Sequence, residues 1–133
     1  LKKHLLDTNI CIYFLKGLYN LDEKIERAGK ENCFVSEVSI AELKFGAENS
    51  SNPIKNRKTV EEFQRRFTIL PIFTALDVYA KEKSRLWRQG NLLDDFDLLI
   101  GATAVSNNLT MVTKNVTDFE RLNDIKIEDW TVK

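Results

Sequence analysis

Short apolar runs that stop abruptly, each followed by a stretch of helical periodicity, are the feature that most constrains this chain. His4-Leu5-Leu6 halts at Asp7 and reads as a buried strand. Cys33-Phe34-Val35, Leu109 to Thr113 and the shorter Ile125-Lys126-Ile127 read as further strands. Ile69-Leu70-Pro71-Ile72 is extended, and Pro71 confines it to an edge. Between these runs the apolar residues recur at helical spacing. Asn9 to Lys16 ends near Gly17, and Leu21, Ile25 and Ala28 stop at Gly29. Ser39 to Asn49 carries Ile40, Leu43, Lys44 and Ala47 on one face. Pro53 opens a helix striped by Val60, Phe63 and Phe67. Thr74 is positioned to cap a helix through Leu76, Tyr79, Ala80, Leu86 and Trp87, and Asp95 to Asn107 forms another. Strand alternating with helix along the whole chain predicts an α/β fold, with three layers α/β/α around a central, mainly parallel sheet.

The length of 133 residues suits a single domain spanning 1–133, large enough to bury a core without disulfides or zinc. Two cysteines, Cys11 and Cys33, lie in apolar runs, and His4 is the lone histidine, which disfavours a structural zinc site and predicts free buried thiols. No segment has the length of a membrane span, and Asp7 interrupts the apolar start where a signal peptide would continue. A cytoplasmic protein with no membrane attachment is therefore expected. The 20 basic and 20 acidic residues cancel, so any nucleic-acid binding must come from a local cation or a metal ion. Arg57, Lys58, Arg65 and Arg66, like Lys81, Lys83, Arg85 and Arg88, read as solvated helix faces. Lys114 sits between two site residues and is the one candidate for a phosphate contact. Tyr13, Phe14, Trp87 and Trp130 read as core.

Chemistry concentrates at element ends. Asp7 follows the first strand, where ligands of parallel sheets bind. Thr113, Asn115 and Asp118 follow Leu109-Thr110-Met111-Val112, while Glu42 and Asp97 fall in the first turns of two helices. Two unit charges 4 Å apart repel by roughly 4 kcal/mol at an effective dielectric near 20, so a convergent set of carboxylates calls for a hard cation or a shared proton. Mg²⁺ and Mn²⁺ take oxygen ligands, activate water and offset phosphodiester charge. The chain carries no phosphate loop, no GxSxG elbow and no second histidine for acid–base ribonuclease chemistry. Each acid also has a purely structural role available. Asp7 can cap the following helix, Ser39-Ile40-Ala41-Glu42 fits a capping box, and Asp97 and Asp118 can complement helix dipoles.

Taken jointly, Leu6-Asp7-Thr8-Asn9, Ala41-Glu42-Leu43 with Gly46, Asp97-Leu98-Leu99-Ile100, and Thr113-Lys114-Asn115 with Asp118-Phe119 resemble the PIN domain, and particularly the VapC toxins of bacterial toxin–antitoxin pairs. The resemblance runs from Leu5 to Trp130. It implies a metal-dependent endoribonuclease in which Asp7, Glu42, Asp97 and Asp118 are catalytic and hold Mg²⁺ or Mn²⁺, with Thr8, Asn9, Thr113 and Asn115 lining the site. Gly101 departs from the Ala common there, and Asn115 stands where some nucleases of the wider superfamily carry a further acid. The resemblance also implies an RNA substrate, tRNA among the candidates, a homodimer, and a cognate VapB-type antitoxin. An Arg, or a Lys, on the antitoxin tail would sit near Asp7, Asp97 and Asp118, and an apolar flank would anchor the tail in a groove between helices, with Tyr13 and Phe14 as candidates for its wall. Two alternatives stand against this reading. One is a non-catalytic RNA-binding or regulatory module on the same fold. The other, a phosphatase using Asp7 as nucleophile, is disfavoured by Asn9 at the position where such enzymes carry a second Asp.

Overall fold

The computed structural model describes residues 2–132. Its strands are β1 (His4–Leu6), β2 (Cys33–Ser36), β3 (Thr68–Leu70), β4 (Thr110–Val112) and β5 (Lys126–Glu128). Its helices are α1 (Thr8–Leu15), α2 (Leu21–Ala28), α3 (Glu37–Glu48), α4 (Pro53–Arg66), α5 (Leu76–Arg88), α6 (Asp95–Ser106) and the one-turn α7 (Val116–Phe119). The strands form one sheet in the order β3-β2-β1-β4-β5, and every neighbouring pair is parallel. Parallel strands cannot be joined by tight hairpins, so helices carry the chain back between them. Pro71 falls just after the edge strand β3, where a missing N–H costs no ladder bond.

The two-residue period of a strand sends neighbours to opposite faces. Leu6 and Val112 enter one core with Ile10 and Cys11 of α1, Ile25 of α2 and Phe63 of α4. Leu5 and Met111 enter the other with Leu86 of α5 and Leu98, Ile100 and Ala104 of α6. Both faces are thus covered, which is why β1 and β4 read as unbroken apolar runs. Glycine matters at two places. Gly17 takes φ +71° to end α1. Gly101 lets α6 approach the C-terminal segment so closely that a Cβ there would meet Leu122 Cδ1 at 2.3 Å. Cys11 and Cys33 are free and buried, and burial pushes both thiols up. No described helix is long and apolar enough to cross a membrane.

Three local expectations are corrected. α3 begins at Glu37, two residues earlier than expected, because Ser36 Oγ accepts from Val38 N at 3.1 Å and caps it, which puts Glu42 in the second turn and not the first. Ser39 is therefore interior to the helix and fully buried, and Ser39–Glu42 is not a capping box. Thr74 caps nothing: a 3₁₀ turn over Phe73–Ala75 leads into α5, whose N-cap is Ala75 without a side-chain bond. Trp87 is 67% exposed, since α5 turns Glu82 and Leu86 inward instead. By contrast Phe14 packs on Phe63 and Phe67, and Trp130 packs against the α1-side core.

Candidate active site

The sheet reverses its direction of growth at β1. The chain adds β2 and β3 on one side, then returns to add β4 and β5 on the other. Loops leaving β1 and β4 diverge at this switch point, which opens a crevice beyond the strand ends. Leu6 and Val112 are in register there, so Asp7 and Thr113 emerge side by side. Asp7 N donates to Val112 O at 2.9 Å, pinning the acid's backbone to β4.

Asp7 is 4% exposed, and both of its oxygens have partners. Oδ1 accepts from Thr8 N and Oδ2 from Thr113 Oγ1, each at 2.8 Å. Thr113 Oγ1 accepts in turn from Asn115 N at 2.9 Å, so its single proton is committed to Asp7. Asp7 is thus the cap of α1 and a site residue at once. Glu42 is held by a parallel device. Thr8 Oγ1 donates to Glu42 Oε1 at 2.7 Å and lies 2.8 Å from Ser39 Oγ. Thr8 has one hydroxyl proton and gives it to Glu42, so Ser39 must donate to Thr8. The chain Ser39→Thr8→Glu42 fixes the carboxylate from behind. Asp118 is held by Asn115 Nδ2 at 2.8 Å and Arg121 Nη2 at 3.2 Å, and Arg121 also donates to Leu92 O at 3.0 Å.

Asp7, Thr8, Asn9, Glu42 and Asp97 line one cleft of about 600 Å³, with Ile12, Ala41, Phe45 and Phe96 as its apolar wall. Asp118 is not among the residues that line this cleft, but its charge is felt at Asp97. Burial pushes Asp97 up to about 6, with further contributions from the charges of Asp7, Asp94, Glu42 and Asp118. Burial also raises Asp7 above its ordinary range, against the opposing bonds from Thr113 and Thr8. Asp94 and Asp95 do other work: Asp94 caps α6, and Asp95 pairs with Lys83.

The donor set is all oxygen and strongly anionic, which suits a hard divalent cation and not zinc. Among the described residues no three such side chains stand close enough to grip an ion as they are. Asp7, Glu42 and Asp97, which line one cleft, are the residues that would hold such an ion. Ser39 and Arg121 are the site-supporting residues that motif reading missed. The Arg121–Asp118 spacing of three was the visible signal for one. The other needed the partner 31 residues away.

A family profile described as PIN domain matches residues 4–125. The chain is 38% identical over 133 residues to "Ribonuclease VapC2" of Haemophilus influenzae, covering 96% of this chain and 98% of that one. It is 34% identical over 131 residues to "tRNA(fMet)-specific endonuclease VapC" of Shigella flexneri, covering 97% and 98%. Among solved structures, the crystal structure of DNA-bound VapBC from Salmonella typhimurium superposes with a TM-score of 0.91 at 32% identity, covering 98% of this chain and 99% of that one.

Proposed function

The chain belongs to the PIN-domain family, and from that premise we propose an Mg²⁺- or Mn²⁺-dependent endoribonuclease that hydrolyses RNA phosphodiester bonds as the toxin of a toxin–antitoxin pair. The observation that carries the reading is the convergence of Asp7, Glu42 and Asp97, from three separate elements, on one cleft at the switch point of the sheet. Asp7, Glu42 and Asp97 would hold the ion, and the charge of Asp118 is felt there. When bound, such an ion lowers the pKa of a water and offsets charge on the phosphate. The chain's own residues orient the acids. Thr113 and the Thr8 amide keep both Asp7 oxygens fixed, and Ser39 and Thr8 keep Glu42 aimed. Arg121 neutralises Asp118 and ties α7 to the loop before α6, which keeps Asp118 in register with Asp97. Ile12, Phe45 and Phe96 give the cleft an apolar wall beside the acids.

Transfer RNA is the first substrate to test, since a relative is named for acting on it. The antitoxin part of the proposal rests on likeness to structures of VapBC complexes. Its tail would bring a cation to the acids, and Arg suits best because its planar fork pairs two carboxylates. A homodimer belongs to the proposal as what the family likeness implies. The proposed site of action is the cytoplasm, where such RNA is found. Purified protein should cut tRNA with Mg²⁺ or Mn²⁺, stop with EDTA, and lose cleavage on Asp97→Asn. Cutting that survives EDTA or the substitution overturns the proposal.

A further inference from the structure

Beside the acid cleft lies a cluster that the proposed reaction does not use. Lys114 leaves the loop between Thr113 and Asn115, the residues that orient Asp7 and Asp118. Its ammonium settles on two tyrosine rings instead of an acid. Nζ lies 5.8 Å from the centroid of Tyr13, 5.5 Å from that of Tyr19 and 3.4 Å from the Tyr19 hydroxyl. The rings meet edge to face at 5.2 Å. Lys114 is exposed and Tyr19 is 38% exposed.

The backbone beneath this cluster is strained. Tyr19 and Asn20 take φ of +59° and +53°, two successive left-handed residues that both carry a Cβ. A bulky side chain in that region is costly and persists where surrounding contacts over-determine it, commonly at binding sites. The strain here delivers a tyrosine ring to Lys114. Arg121, Lys83, Arg85 and Arg57 are paired with Asp118, Asp95, Glu82 and Glu48, whereas among the described residues Lys114 makes no ion pair. Lys114 is held chiefly by the two rings, and the one carboxylate whose charge reaches it, Asp129, is not within ion-pair distance.

Resting on the endoribonuclease reading, we propose that Lys114, Tyr19 and Tyr13 form a nucleotide subsite for the RNA next to the scissile phosphate, with Lys114 on a backbone phosphate and Tyr19 as the platform for an unpaired base. An acid cleft in a chain of zero net charge repels phosphate, so the substrate needs a nearby cation to dock. The two rings hold the lysine stem in place, which reduces the entropy lost on binding. Every base has a face that stacks on an aromatic ring, but only when it is unpaired. The same ammonium repels a cationic antitoxin tail, so the cluster's charge favours RNA.

The test is a salt series of single-stranded RNA binding by fluorescence anisotropy, in the Asp97→Asn background to prevent cleavage. Lys114→Gln should weaken binding several-fold and flatten the slope of log affinity against log salt by about 0.7, one phosphate contact on a single strand. Lys114→Arg should restore both. Tyr19→Leu should weaken binding about tenfold at an unchanged slope, and Tyr19→Phe should bind like the parent. An unchanged slope in Lys114→Gln, or parental affinity in Tyr19→Leu, overturns the subsite. If wild type still cuts RNA with metal, the nuclease reading survives that result. Failure of wild type to cut or bind any RNA overturns both.

Discussion

Asp97→Asn should make the metal-free protein more stable at neutral pH while abolishing its function. The sign follows from counting protons. Asp97 titrates at about 6 in the folded chain against 3.8 ordinarily. Between those values the folded state holds a proton that the unfolded chain has released. Stability from this group is therefore fully present below pH 4 and is lost as pH rises through about 6. A gap of roughly two pH units corresponds to about 3 kcal/mol at most. Asp97 is partly open to solvent, which screens that figure to about 1–2 kcal/mol. The amide also gives up about 0.5 kcal/mol of interaction with the N-terminus of α6. The net gain is about 1 kcal/mol, or a rise in Tm of about 4 °C. Thermal melts of both proteins in EDTA from pH 4 to pH 8 would measure it. The curves should meet near pH 4 and separate through pH 6, with the variant on top. Mn²⁺ at a hundred times its Kd should then raise wild type alone by about 2.7 kcal/mol and reverse the order. Parallel curves across the pH range, or equal stabilisation of both proteins by Mn²⁺, would refute the assignment of Asp97 to a repulsive, metal-seeking cluster.

Asp7→Asn should fold normally, because the amide oxygen can still accept from Thr8 N while its NH₂ donates to Thr113 Oγ1, but should lose Mn²⁺ binding in a calorimetric titration. Equal Mn²⁺ affinity would reduce Asp7 to a helix cap. Ser39→Ala should cost about 1 kcal/mol in urea denaturation and lower Mn²⁺ affinity several-fold, since Thr8 loses the donor behind it. Unaltered Mn²⁺ affinity would show that Thr8 orients Glu42 unaided. Gly101→Ala should lower Tm, because overpacking against Leu122 and Phe119 costs about 1–3 kcal/mol and outweighs a helix-propensity gain of about 1 kcal/mol. A raised Tm would mean the Leu122 side chain moves aside freely.

The sheet was legible because β1 and β4 are buried on both faces, which leaves unbroken apolar runs bounded by polar residues. The positions of Asp7, Asp97 and Asp118 followed from the same signal, being tied to strand ends and helix starts. The start of α3 was harder. Ser36 and Ser39 both offer a cap, one turn apart, and sequence alone does not distinguish them. What decides is Thr8, whose hydroxyl takes Ser39 into the core and leaves Ser36 at the end. Trp87 failed for a related reason: on α5 the inward position goes to Glu82, whose carboxylate accepts from Asn123 N at 2.6 Å and pairs with Arg85. Contacts between residues far apart in the chain leave no local trace.

The central place of β1 in the sheet has a bearing on how the chain emerges during synthesis. Of the five strands β1 is made first, yet one of its two neighbours, β4, follows it by about a hundred residues. Asp7 therefore waits for Val112 and Thr113, the groups that hold its backbone and its carboxylate. At 5–20 residues per second, the hundred or so residues between them take roughly 5–20 s to translate. A nascent chain carries the acids but not the edge that orients them. The bonds that orient Asp7 can form only once β4 and Thr113 are out, so a chain interrupted before β4 would carry Asp7 unoriented.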